Sequence, residues 1–163
     1  MPSQPDSEEV LAQHAAINLH ELLNEVLAID LEEDYPQTPE EVMRLFGDTF
    51  RLLYGWDRND RYTISRVLEV QRGLYAQAML DLNPFTQQLA TLLALLDVQY
   101  EMGLQIIGIS IGSPVFHRFS PDDRCVVTMI KFANSGQSFQ YSHQLFRHPE
   151  SGRWQIGSWS QNE

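Results

Sequence analysis

The chain has 163 residues, 43% hydrophobic and 10% aromatic, the composition of an ordinary globular domain and not of a disordered tail. Its formal net charge of −11 lacks the basic footprint that nucleic acid or an anionic membrane surface requires. No run of about 18 apolar residues is present to span a bilayer, and the single cysteine, Cys125, cannot close an intrachain disulfide.

The charge is unevenly placed. Residues 1–60 hold 14 acidic and 3 basic side chains, whereas residues 61–163 hold 8 of each. A front of this kind reads as a solvated face or as a docking surface for a basic partner. The length argues for one domain spanning 1–163, large enough to bury about two thirds of its unfolded surface. Residues 1–6 read as loose, 7–102 as mainly helical and 104–160 as an antiparallel sheet. The start, MPSQPDSEEV, has no charged-then-apolar signal pattern. The chain is expected to be extracytoplasmic or membrane-anchored if a signal has been removed from it, and cytoplasmic otherwise.

A first helix is predicted over 8–29, capped by Asp6, with an apolar stripe through Val10, Leu11, Ala15, Leu19, Leu22, Leu23, Val26 and Leu27. The acidic run 30–34 and Tyr35-Pro36 break it. The second starts strongly, with Thr38 as cap, Pro39 at the first helical position and Glu41 at the third, and Gly55 ends it. A polar loop, 56–60, leads to a third helix over 63–82. Asn83-Pro84 stops that helix and opens a fourth, reaching about Met102. This fourth helix is apolar on most of its circumference, so it is expected to be the central one, lying against the sheet.

From Leu104 the period changes. Residues 104–111 and 115–119 read as two strands, followed by strict alternation over 124–132, 137–147 and 153–160. The turns carry Asn134-Ser135-Gly136 and 148–152 (HPESG). Helices first and a meander second predict an α+β fold, a curved antiparallel sheet with N-terminal helices packed in its concave face.

Chemistry is sparsely signposted. The glycines of 108–113 (GISIGS) lack the Lys-Ser/Thr ending and helix start of a phosphate loop. The loop at 57–60 fails as a calcium site, because Tyr62 stands where Gly is needed and Leu68 where Glu is needed. No histidine spacing suits zinc: His14 and His20 lie off a shared helical face, and His143 and His148 fall on opposite strand faces. No cofactor and no metal are expected. Cys125, beside Val126 and Val127, reads as a buried, inert thiol.

One pattern carries weight. Phe139, Tyr141, His143 and Leu145 share a strand face, as do Val115, His117 and Phe119, and Trp154 and Ile156. His117 and His143 are therefore expected to line one concave interior. An acidic neighbour there, with Asp97, Tyr100 and Glu101 as candidates, would make either a general base; the alternative is a histidine with a structural role.

The close on 152–159 (GRWQIGSW), behind a strand rich in Tyr and His, resembles the NTF2-like (cystatin-like cone) superfamily. The run 71–75 (QRGLY) through Leu82-Asn83-Pro84 and Gln88 is similar to small NTF2-like domains of Gram-positive bacteria, which are often exported or lipid-anchored. That resemblance implies a cone whose interior can be a pocket. It also implies a choice among dehydratases and isomerases with an Asp/His pair, ligand carriers, and assembly modules such as the VirB8-like subunits of conjugative secretion systems. Four helices precede the main strands here, and no Asp–His pair stands at a matching position, which favours assembly over catalysis.

Two expectations follow. In the first, a non-catalytic module binds a protein partner or a second copy through its outer sheet face, with Phe132, Phe146 and Trp159 as contacts and a cell-envelope complex as a setting. In the second, a small apolar ligand occupies the cone, with His117, His143 and Asp97 as catalytic or anchoring groups among Leu93, Leu96, Tyr100, Phe119 and Tyr141.

Overall fold

The computed structural model describes residues 19–55 and 60–162. The predicted first helix over 8–18, its Asp6 cap and most of the loop at 56–60 lie outside these residues.

Helix α1, Leu19–Leu27, is the end of the first predicted helix, and Val26 is its buried residue. Helix α2, Pro39–Tyr54, starts as its sequence demands. The Glu41 N–H donates to Thr38 Oγ1 at 3.1 Å. The Glu41 carboxylate reaches past the cap to accept from the Gln37 N–H at 3.0 Å. The Gly55 N–H closes the far end on the Arg51 carbonyl at 2.8 Å.

The predicted third helix is two helices, α3 (Arg61–Arg72) and α4 (Gln77–Leu82). Asp60 starts α3 by accepting from the Thr63 N–H at 2.8 Å. Between the two, Leu74 and Tyr75 are both buried and the backbone runs alongside the last strand. The Ile156 N–H donates to Leu74 and the Ala76 N–H donates to Ile156, at 2.9 and 2.8 Å. Gly73 caps α3 and is a local stop signal inside the predicted helix, and pairing with a strand about 80 residues downstream then holds the segment out of the helix.

Helix α5, Phe85–Glu101, has the predicted extent but not the predicted place. Among its residues only Leu89 and Leu92 are buried, while Leu95 and Val98 are exposed. The central helix is α2, where Val42, Met43 and Leu52 have no exposed surface. Gly47 explains its seat. A Cβ there would lie 3.2 Å from Ile109 Cγ2 on the sheet, so the absent side chain permits the close approach.

The sheet is antiparallel, curved and unclosed. Its strands are β1 (Ile106–Ile111), β2 (Val115–Phe116), β3 (Arg124–Ala133), β4 (Ser138–Arg147) and β5 (Trp154–Gln161). The order is β1-β3-β4-β5, with β2 also on β3. Gly136 and Gly152, with φ of 89° and 72°, make the two predicted turns. The fold class is α+β, with the helices on the concave side.

Candidate functional site

Register assigns every strand residue to a face. The pairs Val127↔His143, Met129↔Tyr141 and Lys131↔Phe139 place those six side chains on the inner face. Against them α2 lays Phe46, Phe50 and Tyr54, one turn apart along one side of the helix. The Phe46 ring is 5.2 Å from the His143 ring, and Phe50 and Tyr54 stack at 4.2 Å.

Lys131 is the only lysine in the chain; the other ten basic residues are arginines. Its Nζ sits 3.6 Å from the centroid of Phe50 and 4.0 Å from that of Tyr141. Burial pushes its ammonium down to about 7, while the negative faces of the two rings act the other way and favour the cation. Among the described residues it has no hydrogen-bond or carboxylate partner. The rings tie α2 to β3 and β4 through one amine. Sequence reading passed over it, although a lone lysine at an inward position of an alternating strand was the available signal.

His143 is 2% exposed, and its Nδ1 has no partner among the described residues. Burial first, and then the charge on Lys131, push the imidazole down to about 4, so it is neutral at physiological pH. His117 is not beside it. The pair Phe116↔Cys125 puts Phe116 on the inner face and turns the neighbouring His117 to the other side. There His117 is exposed, its Nδ1 accepting from the Phe119 N–H at 3.2 Å. Strand β2 ends at Phe116, three residues short of prediction, and Phe119 is 82% exposed.

The remaining candidates divide. Leu93, Leu96, Asp97 and Tyr100 do come together, lining a cavity of about 730 Å³ with Ile64, Leu104 and others between α3, α5 and the start of β1. That cavity lies at the margin of the fold, and neither Tyr141, Phe119 nor either histidine lines it. Asp97, His117 and His143 therefore occupy three separate places. No group of three or more His, Cys, Asp or Glu residues suited to a metal occurs among the described residues. Cys125 is buried, and burial pushes its thiol up to about 11.

The outer face is the counterpart. Val126, Thr128, Ile130 and Phe132 of β3 lie there, as do Gln140, Ser142, Gln144 and Phe146 of β4 and Gln155, Ser158 and Ser160 of β5. Among the described outer-face residues of β3, β4 and β5, Arg124 is the sole charge, its guanidinium 5.4 Å over the Phe146 ring. Phe132 is 8% exposed and Phe146 half-buried, so neither stands proud of the surface.

Trp159 is not on this face. Ile156 pairs with Leu145 and Ser158 with Gln144, leaving Gly157 as an extra residue. This β-bulge reverses the alternation beyond it. Trp159 therefore points inward, its ring 5.9 Å from Tyr75 and 6.1 Å from His143. Gly157 is required at the bulge, since a Cβ would come within 2.4 Å of the Phe146 ring.

A family model described as a domain of unknown function (DUF6715) matches residues 6–159. The chain belongs to this family. No curated protein matches it. The matched stretch takes in α1–α5, β1–β4 and β5 as far as Trp159, so the inner aromatic cluster and nearly all of the outer face lie within the family's own extent.

Proposed function

We propose that this chain is a non-catalytic, NTF2-like binding module that engages a protein partner through the outer face of its sheet. The observation that carries the reading is the composition of that face. It is three long strands wide, bears one charge among its described residues, and belongs to a chain of net charge −11. Depletion of charge, not bulk hydrophobicity, is what marks the core of a protein interface. The inner face supports the same reading, because Val127, Met129, Leu145 and Ile156 fill it and have no exposed surface. The kinship with NTF2-like domains is supported by helices preceding a curved, unclosed antiparallel sheet. A cell-envelope complex is the setting the resemblance suggests.

The test is site-specific photo-crosslinking in cells that make the protein, with the photoreactive side chain at Gln144 on the outer face or at Glu69 on α3. The expected result is a discrete adduct from Gln144 alone, lost when Ile130→Arg is added. Equal adducts at both positions, or none at Gln144, would sink the reading.

A second reading, a small-ligand carrier, is favoured by the cavity that Leu93, Leu96, Asp97 and Tyr100 line. Neither histidine reaches it, so it supports carriage more than isomerase or dehydratase chemistry. Screening of small apolar compounds by thermal shift tests it. A hit whose shift survives Leu96→Trp, which would fill the cavity, removes the cavity from consideration.

A further inference from the structure

The outer edge of β5 is engaged by the rest of the chain at Trp154 and Ile156, and beyond them it is open. The Trp154 carbonyl accepts from the Tyr35 hydroxyl at 2.6 Å. Ile156 has both its groups engaged, by Leu74 and Ala76. Beyond the Gly157 bulge, the Asn162 N–H donates to the Gln140 carbonyl at 2.8 Å. Together with the pairs Ser142↔Ser160 and Tyr141↔Gln161, this bond sets the direction of each backbone group. Residues 158, 160 and 162 turn theirs toward β4, and Trp159 and Gln161 turn theirs away from it. The N–H and C=O of Trp159 and Gln161 have no partner among the described residues, and both residues are exposed.

Edge strands are ordinarily protected by lysine, proline, inward charge or a covering element. Ser158, Trp159, Ser160 and Gln161 include none of these residue types, and the last backbone bond from the covering segment is that of the Ala76 N–H to Ile156. Four open backbone groups thus lie on one line, beside an indole that is 45% exposed.

We propose that this edge pairs with the same edge of a second copy, antiparallel about a twofold axis at Ser160, joining two sheets into one. The two outward-facing residues are symmetric about Ser160, so a twofold pairing satisfies all four groups of each copy and leaves none over. Trp159 exchanges both its bonds with Gln161 of the partner subunit, and Gln161 with Trp159 of the partner subunit. At the centre, Ser160 meets Ser160 of the partner subunit in a non-hydrogen-bonded pair. Cα atoms there approach to about 4.5 Å, which a small side chain suits. Charge selects the same occupant. The net charge of −11 resides in residues 1–60, so two copies repel through their helical fronts, and an uncharged edge in the neutral half is where they can meet. The axis runs perpendicular to the sheet, so both outer faces end on the same side. This inference does not depend on a partner being bound there.

The pairing buries little surface, so it is a weak association that added salt strengthens by screening the helical fronts. Sedimentation velocity from about 10 µM to about 1 mM, the range for a small interface, should show the mass doubling, at lower concentration in high salt. Gln161→Pro should hold the chain monomeric while leaving β5 on β4, because the N–H it removes points away from β4. Ile130→Arg, on the outer face, should leave the dimer intact. Amide exchange on the wild type gives a second readout that needs no variant. Trp159 and Gln161 amides should become protected as concentration rises, whereas Ser158 and Ser160 are protected throughout. A chain that stays monomeric to about 1 mM, with Trp159 and Gln161 amides exchanging freely, overturns the proposal. So does a dimer that survives Gln161→Pro, or one lost to Ile130→Arg alone, which would assign self-association to the outer face.

Discussion

The two faces of one sheet, built from alternate residues of the same strands, have opposite characters. On β4 the inner Leu145 has no exposed surface, while Gln144, one position away, is exposed; on β3 the inner Val127 and Met129 have none, while the outer Val126, Thr128 and Ile130 are half-buried. The inner face holds the groups with displaced ionisation, Lys131 and His143, and holds them because it is dry. The outer face has almost no charge to displace. Unusual electrostatics on the inside here reflect packing, whereas the plainness of the outside is the feature on which the proposed partner contact rests.

The strongest way to break this contrast is truncation on either side of it. Leu145→Ala should lose about 2–5 kcal/mol in denaturant unfolding, through lost transfer energy and the cavity left behind. Gln144→Ala should stay within about 0.5 kcal/mol. Similar losses at both positions would mean that the outer face is also covered.

Gly157→Ala tests the bulge that divides the faces. Its Cβ meets the Phe146 ring, so a loss of about 1–3 kcal/mol is expected, together with a change in Trp159 fluorescence as β5 shifts. Adding Phe146→Ala should recover part of the loss, and no recovery would place the strain elsewhere.

Lys131 gives a pH signature with a definite sign. Its folded-state value is about 7 against an ordinary 10.5, so between these the unfolded chain binds more protons and stability rises with pH. From pH 7 to 8, below the range where Cys125 and the tyrosines contribute, the gain should reach up to about 1 kcal/mol, reduced by whatever the two rings return to the cation. Lys131→Met should flatten this slope. Since the chain has no other lysine, a slope that persists in the variant would show that the clamp leaves the ammonium unperturbed.

The smallest effect lies on the acid side, where two groups oppose each other. His143, pushed down to about 4, costs stability as pH falls below its usual 6.5, because only the unfolded imidazole charges there. Asp48, pushed up to about 6 by burial and then by Glu25, adds stability as pH falls through 6, because the folded carboxyl takes up its proton first. The wild type should therefore change little between pH 6.5 and 4.5, whereas Asp48→Asn should reveal the His143 loss. NMR should find His143 neutral at pH 5.5, and a charged imidazole at that pH would contradict the dry inner face.

Much of this architecture is written in short-range signals. Thr38-Pro39 opens α2, Gly136 and Gly152 make their turns, and period-two alternation places Tyr141, His143 and Leu145 on one face, because caps, positive φ angles and strand geometry involve only neighbouring residues. What only the tertiary structure decided depends on partners far along the chain. Leu74–Ala76 leave the helix for a strand at Ile156, and α2, with Gly47 close against Ile109, lies on the sheet in place of the more apolar α5. Gly157, fitted against Phe146, turns Trp159 from the outer face to the inner one. Lys131 finds one of its two rings on a helix some 80 positions earlier, at Phe50. Alternation and capping carry no information about such distant contacts, because each is set by the shape of a neighbour that the local sequence does not contain.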